Sequence, residues 1–291
     1  MTWVFFTVGA VILQTFRNAF QSKLSQHVNT SGVTLARFLF APPIALAYLI
    51  TLYQFYPVGI PAFDGTFIAY ILVSAVMQIV ATSLMVVLFK QKNFAVGAGL
   101  AKSEALVAAV LGTLFFGSQL TSLGWLGIII GVVAVFVLSG ATRKGELSLK
   151  TILTGLACGG SFALTSLFIR EAANQLSVPF PVNTAWGLLW VLCVQTLILC
   201  VYISIKEPYV FRQLRCQPAL TLAASTTSCF GSVCWFSAMT IQYVAYVKTL
   251  GQIEVLTTMV ISAVMLKTPV KPHEVTGLML IAIAAICVMW S

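Results

Sequence analysis

Six ionisable side chains stand within stretches of the chain that are otherwise almost entirely apolar. They are Arg17, Arg37, Lys102, Glu104, Lys248 and Glu254. On membrane-insertion scales each would cost about 2.5–3.5 kcal/mol if it faced lipid, so we expect these side chains to face an interior cavity or one another. Buried carboxylates beside buried cations can couple to ions, exchange protons or bind a charged ligand. We therefore treat these six positions as candidates for chemistry.

The spacing of Lys102 and Glu104 limits the partners that they can have. Side chains two positions apart on a helix project about 200° from each other, so these two cannot pair on their own helix. Their partners must come from other helices. We predict that Lys102 and Lys248 line a pathway and that Glu104 and Glu254 lie at the interface between two halves of the chain.

Arg17 and Arg37 have two interpretations. Either they join Glu104 and Glu254 as interior ion pairs or ion-coupling groups, or they extend to the membrane interface and cap backbone carbonyls. The two glutamates also have a second interpretation, in which they form purely structural ion pairs or interhelical hydrogen bonds.

Uncharged polar and aromatic side chains supply candidates for ligand contact. Gln78 lies in a stripe with Ser74 and Thr82, and Gln252 follows Lys248 by four residues, which predicts a shared helix face. Tryptophans could stack on a ligand or simply fill apolar space. The predicted substrate-binding residues are Lys102, Lys248, Gln252, Gln78, Trp186 and Trp235.

Two further polar stripes follow helical spacing. In the first apolar stretch, positions i, i+3, i+4 and i+7 are polar, which places them on one face. These residues are Gln14, Arg17, Asn18 and Gln21. Three serines in a later stretch, Ser225, Ser228 and Ser232, indicate close helix packing more than ligand contact.

Other chemistries find little support in the sequence. Seven cysteines, an odd number, form no Cys-x-x-Cys spacing, and the two histidines are far apart. Gly-rich phosphate loops and nucleophile–base spacings are not found either. We predict no metal site, no cofactor and no enzymatic activity.

The composition identifies the environment that these residues share. The chain has 291 residues, of which 59% are hydrophobic and 8% are charged, whereas about 25% are charged in a typical soluble domain. The net charge of +9 is spread over single or paired basic residues between apolar runs. Such residues suit the anionic face of a bilayer, so we predict an integral membrane protein and not a nucleic-acid partner.

The apolar runs predict an all-α membrane protein with ten transmembrane helices. Each run is close to the roughly 20 residues that a helix needs to cross the hydrocarbon. The predicted spans are 2–20, 32–56, 65–88, 94–117, 120–139, 151–170, 182–205, 217–242, 244–266 and 272–290.

An offset of 150 residues aligns the fourth and fifth predicted helices with the ninth and tenth. Glu104 falls on Glu254, and Gly127 falls on Gly277. Because charged residues are rare within spans, the aligned glutamates indicate a repeat. We predict a first repeat over 1–141, a linker over 142–150 and a second repeat over 151–291. Five helices per repeat make the second copy inverted in the membrane.

Two segments resemble a known family. Residues 35–46, with Arg37-Phe38-Leu39, and residues 101–112, followed by Leu120 and Gly127, are similar to EamA-type members of the drug/metabolite transporter superfamily. Two departures stand out: Glu104 and Glu254 lie at or next to positions where many members have proline, and a frequent Gly-Glu is replaced by Gly117-Ser118. The resemblance implies transport of small metabolites, often export.

These observations together predict a secondary transporter for a small amino-acid-like, zwitterionic or anionic metabolite, with alternating access between the repeats and with proton coupling through Glu104 or Glu254. The alternatives are a lipid flippase-like carrier, an assembly partner, and a membrane-embedded enzyme that acts on lipid phosphate. The expected partners are the substrate and the bilayer, and the expected state is a monomer or homodimer.

The distribution of basic residues bears on orientation and location. Lys and Arg collect on one side of the predicted spans, which places both termini outside, whereas the family resemblance implies cytoplasmic termini. A bacterial inner membrane is the expected location.

Overall fold

The structure, a computed structural model, describes residues 1–89, 101–138, 149–254 and 272–290. All regular secondary structure in these ranges is helical. The helices are α1 (Thr2–Leu24), α2 (Thr30–Phe38), α3 (Ala41–Phe55), α4 (Gly65–Phe89), α5 (Glu104–Phe115), α6 (Ser122–Leu138), α7 (Leu149–Gln175), α8 (Val182–Lys206), α9 (Tyr209–Arg215), α10 (Pro218–Ile241), α11 (Val244–Leu250), a 3₁₀ turn (Gly251–Ile253) and α12 (Pro272–Met289).

Five helical segments in the described ranges are long and apolar enough to cross a membrane. They are Thr30–Phe55, Gly65–Leu88, Leu149–Gln175, Val182–Lys206 and Pro218–Ile241. Large apolar side chains such as Phe5, Leu197 and Ile205 are more than 60% exposed on the outside of the bundle. Water would disfavour such a surface, whereas lipid tails solvate it. The chain is a multi-pass integral membrane protein, and the all-helical prediction is confirmed.

The predicted arrangement of ten spans in two repeats remains a prediction. Parts of the predicted spans 94–117 and 244–266 lie outside the described residues, as does most of the predicted linker 142–150. The other predicted spans coincide with helices to within a few residues. One short helix, α9, was not predicted, and it fills the connection between α8 and α10.

The second predicted span is divided into two helices. The chain leaves helical geometry at Phe40. Pro42 and Pro43 lack the backbone N–H groups that would bond to the carbonyls of Phe38 and Leu39 in a continuous helix, so the hydrogen-bond ladder is broken here. Neighbouring helices satisfy the exposed backbone: Phe40 N donates to Ser225 Oγ at 2.9 Å, and Thr196 Oγ1 donates to Phe38 O at 3.0 Å. A break within the membrane is therefore tolerated.

Helices from the two parts of the chain are interleaved. α1 packs on α10, α4 on α7, α3 on α8, and α6 on α12, while α5 lies against α7 and α11. Fully buried Phe38, Phe67, Leu192 and Met239 belong to the core between them. This arrangement brings polar positions of several helices together in the interior.

Candidate functional site

Two apolar segments are interrupted at positions that differ by about 150 residues. A turn at Lys102 and Ser103 precedes α5, and the 3₁₀ turn Gly251–Ile253 follows α11 and leads into Glu254. Irregular backbone at membrane depth is stable where it is buried in protein or borders a polar cavity. The interruptions place charged side chains next to each other in the interior.

The first ion pair joins Lys102 to Glu254. Lys102 Nζ donates to Glu254 Oε2, and the carboxylate is almost completely buried. Two amides of α1 also donate to it: Gln14 Nε2 to Oε2 at 2.6 Å, and Asn18 Nδ2 to Oε1 at 2.7 Å. Three donors therefore stabilise this buried anion.

The second ion pair joins Lys248 to Glu104. Lys248 Nζ lies 2.8 Å from Glu104 Oε1, to which Ser166 Oγ donates at 3.1 Å. The ammonium also lies 4.2 Å from the centre of the Trp235 ring, at cation–π distance. Trp235 Nε1 in turn donates to Gln14 Oε1 at 2.9 Å, so Gln14 links the two ion pairs.

The two pairs are crossed with respect to the sequence. Each glutamate binds the lysine from the other part of the chain, across the α5–α11 contact. The expectation that Lys102 and Glu104 find their partners on other helices agrees with this geometry. The pairs connect the two interrupted segments.

The two arginines are buried nearby and lack a carboxylate partner in the described ranges. Arg37 donates from Nε to Ser228 Oγ at 3.1 Å and from Nη1 to Thr82 Oγ1 at 2.5 Å. Arg17 donates from Nε and Nη2 to Asn18 Oδ1, at 3.3 and 2.8 Å. Only 6% of Arg17 and 3% of Arg37 is exposed, which favours the interior interpretation over an extension to the interface.

A polar cavity lies among these groups, which we call the central cavity. Its charged lining is Arg17, Arg37, Lys102, Glu104 and Lys248. Gln14, Gln78, Ser166 and Ser232 add neutral polar groups, and Met85, Phe162, Trp235, Phe236 and Met239 form an apolar wall. Both parts of the chain contribute to the lining, so a ligand in the cavity would contact both.

Most of the predicted substrate-binding residues line the central cavity, and two do not. Gln78 lines it and accepts a hydrogen bond from Gln195 Nε2 at 2.6 Å. Gln252 is instead buried close to Gly131, because the 3₁₀ turn rotates it off the face that carries Lys248. Its side chain forms no hydrogen bond within the described residues.

Trp186 belongs to a different aromatic cluster. Its Nε1 donates to Tyr53 Oη at 3.0 Å, and its ring lies 5.1 Å from that of Phe63, which also contacts Trp190. Trp186 therefore joins α8 to α3 and does not line the cavity, whereas Trp235 does. Stacking on a ligand and filling apolar space were the two predicted roles for Trp186, and its position fits the second.

The structure adds site residues that were not predicted. Gln14 and Asn18 bind Glu254, and the signal for them was the polar stripe of the first span. Thr82 and Ser228, both in predicted stripes, hold Arg37. Ser166, the donor to Glu104, belongs to no such stripe. No group of three or more His, Cys, Asp or Glu suited to a metal ion occurs among the described residues.

Comparisons with known proteins agree with this architecture. The fold is similar to the crystal structure of another protein, with a TM-score of 0.72 and 14% sequence identity, over 99% of this chain and 96% of that chain. No curated protein matches the sequence. The likeness to the solved structure concerns the fold alone.

A family model gives the more specific result. The EamA-like transporter family matches residues 149–290, which include α7 to α12. Members of this family are membrane transporters of the drug/metabolite transporter superfamily. The resemblance found in the sequence is thus confirmed: residues 149–290 match the EamA-like transporter family.

Proposed function

We propose that the protein is a secondary transporter of a small organic metabolite and that it works by alternating access between two inverted five-helix repeats. The observation that carries this proposal is the pair of crossed ion pairs, Lys102–Glu254 and Lys248–Glu104, beside a polar cavity and next to the turns at Lys102–Ser103 and Gly251–Ile253. Interrupted helices at corresponding positions of two repeats are typical of midplane binding sites in secondary transporters.

The helix contacts support the repeat. With an offset of 150 residues, α1 corresponds to α7 and α4 corresponds to α10. The contact of α1 with α10 is then the image of the contact of α4 with α7, and both occur. Exchange of the conformations of two such repeats moves access from one side of the membrane to the other.

The ion pairs suggest how the two repeats are coupled. Each pair joins one repeat to the other, so separation of the repeats on one side requires that a lysine leave its glutamate. A proton on Glu104 or Glu254 removes the negative charge that holds the lysine. Proton binding would therefore favour the rearrangement, which is the basis of a proposed proton-coupled cycle.

The charges of the site favour one class of cargo. Four cations and two anions leave an excess of two positive charges in the interior. A buried excess of this size favours an anionic or zwitterionic, amino-acid-like cargo. We further propose that the protein acts as a monomer or homodimer in a bacterial inner membrane.

Reconstitution of the purified protein into liposomes tests the proposal. A panel of radiolabelled amino acids and organic acids is supplied outside, with and without a pH gradient. In Glu104→Gln or Glu254→Gln, we expect gradient-driven uptake to be lost while exchange of internal for external substrate survives. Glu171→Gln is the control. Glu171 Oε1 lies 3.6 Å from Arg170 Nη1, and neither residue lines the cavity.

Each result has a clear meaning. Uptake above protein-free liposomes, without chemical change of the substrate, supports a carrier. Unchanged driven uptake in both glutamate variants removes the proton-coupling role, and absence of uptake for the whole panel contradicts the proposed function.

A further inference from the structure

The two arginines differ from every other charged group of the central cavity. Both glutamates are neutralised by a lysine and bound by additional donors, which leaves Arg17 and Arg37 as the excess cations. Burial of a charge without an opposite charge destabilises a protein. The two arginines therefore destabilise the fold unless a negative charge is bound beside them. A bound anion would supply the compensation.

The hydrogen bonds of the arginines leave donors free. A guanidinium has five N–H donors. Arg17 uses Nε and Nη2, and Arg37 uses Nε and Nη1, so neither Nη1 of Arg17 nor Nη2 of Arg37 donates within the described part of the chain. Their other nitrogens are fixed by Asn18, Thr82 and Ser228, so the orientation of both groups is set in advance.

The surroundings of these donors determine what else a ligand must have. The same cavity is bordered by the apolar side chains of Met85, Phe162, Phe236 and Met239. A ligand that binds the arginines would place its remaining atoms against this wall. The cavity therefore suits a compound with one anionic end and an apolar body.

The hydrogen bonds of the two carboxylates disfavour a cargo with an ammonium group. Glu254 already accepts from Lys102, Gln14 and Asn18, and Glu104 from Lys248 and Ser166. A cargo ammonium would have to displace a lysine to reach either of them. Free donors, rather than free acceptors, are available in this site.

We infer that Arg17 and Arg37 form an anion subsite and that the cargo is a small organic anion, a carboxylate or a phosphate ester, with an apolar body. This inference rests on the proposed function and narrows its class of cargo from anionic or zwitterionic compounds to anions alone. Guanidinium groups match both carboxylates and phosphates with paired hydrogen bonds, so the two head groups share one recognition chemistry.

Binding to the full-length protein in detergent, measured by calorimetry, tests the subsite. The probes are phenylacetate and phenyl phosphate, with phenylacetamide as the neutral analogue and phenylalanine as the zwitterion. We expect at least one anion to bind about tenfold or more tightly than the amide, as charge-assisted hydrogen bonds would give. We also expect the anion to bind more tightly than phenylalanine.

Variants locate the site. Arg17→Gln and Arg37→Gln should each weaken binding of the anion by about tenfold, and the double variant should bind anion and amide alike. Arg170→Gln is the matched control, because Arg170 has its own carboxylate and stacks on Tyr243, outside the cavity lining. We expect its affinity for the anion to equal that of the unaltered protein.

Several outcomes would overturn the inference. They are binding of phenylalanine as tight as that of the anions, an equal loss in Arg170→Gln, or no binding of either anion. Tight binding of lysophosphatidate but of neither small anion would assign the subsite to a lipid head group instead. If both arginine variants take up other metabolites at the unaltered rate, the transport function stands and the subsite is rejected. If the protein binds the anions but transports nothing, the subsite stands and the transport function is rejected.

Discussion

The glutamate–lysine pairs and the two arginines lie beside the same cavity, but only the charges of the pairs are compensated by a direct ionic contact. Glu254 and Glu104 each receive a lysine and further donors, and their pairs connect two interrupted helical segments. Arg17 and Arg37 are as buried as Glu254, but their hydrogen-bond acceptors in the described ranges are all neutral oxygens.

This difference separates two uses of buried charge. A compensated pair can hold helices together, because removal of one partner leaves the other buried alone. An uncompensated cation contributes little to folding and is available for a ligand. Substitutions at the two kinds of position should therefore affect different measurements.

The largest effect is expected at Glu254. Glu254→Ala leaves the partly buried Lys102 without this carboxylate and removes an acceptor of Gln14 and Asn18, so we expect a loss of about 3–5 kcal/mol in unfolding free energy. A drop in the thermal unfolding midpoint of the detergent-solubilised protein measures it. Glu171→Ala, at a less buried pair, should cost at most about 1 kcal/mol. Equal drops would contradict the distinction.

Glu104→Ala should destabilise the protein less than Glu254→Ala. Fewer donors lose their acceptor, and Lys248 retains its contact with the Trp235 ring. We expect about 1–3 kcal/mol, the scale of losing a buried charged hydrogen-bond partner. The same thermal measurement ranks the two variants, and a reversed order would show that the donor shell does not set the stability.

Arg37→Met tests the comparison at a cation that has no carboxylate partner among the described residues. Because it removes a buried charge that has no carboxylate partner, the unfolding free energy should fall by no more than about 1 kcal/mol or should rise. The thermal unfolding midpoint of the detergent-solubilised protein measures this change. Anion binding should fall in the same variant. A loss of stability as large as that of Glu104→Ala would mean that Arg37 serves the fold.

The smallest effects distinguish the two tryptophans. Trp235→Phe and Trp186→Phe each remove one N–H donor, which costs about 1 kcal/mol in stability. Only Trp235 lines the cavity, so only its replacement should reduce substrate uptake in proteoliposomes. Equal losses of uptake would place Trp186 in the pathway as well.

The sequence predicted the helical class and most of the charged groups because intramembrane charges have few tolerable environments. Lys102 and Glu104 could not pair on one helix, and this spacing correctly required partners from elsewhere. Which lysine meets which glutamate depends on how the two interrupted segments approach each other, and no spacing within one segment contains that information.

Two predicted substrate-binding residues, Gln252 and Trp186, lie outside the cavity lining and show where helical spacing does not predict a position. Gln252 was expected beside Lys248, but the turn at Gly251–Ile253 rotates it towards Gly131. Trp186 matched the pattern of a stacking residue, yet aromatic side chains are equally suited to packing between helices, and Tyr53 supplied its hydrogen-bond acceptor. Departures from regular helix depend on tertiary packing, which a periodic pattern does not report.

The most direct test of the central claim exchanges the charges of one crossed pair. Glu104→Lys and Lys248→Glu are prepared singly and together, and uptake of radiolabelled phenylacetate into proteoliposomes is measured for all three and for the unaltered protein. We expect each single reversal to abolish uptake and the double reversal to restore a substantial part of it, since the ion pair is reformed. Uptake by the single variants at the unaltered rate, or a double variant as inactive as the singles, would contradict the account.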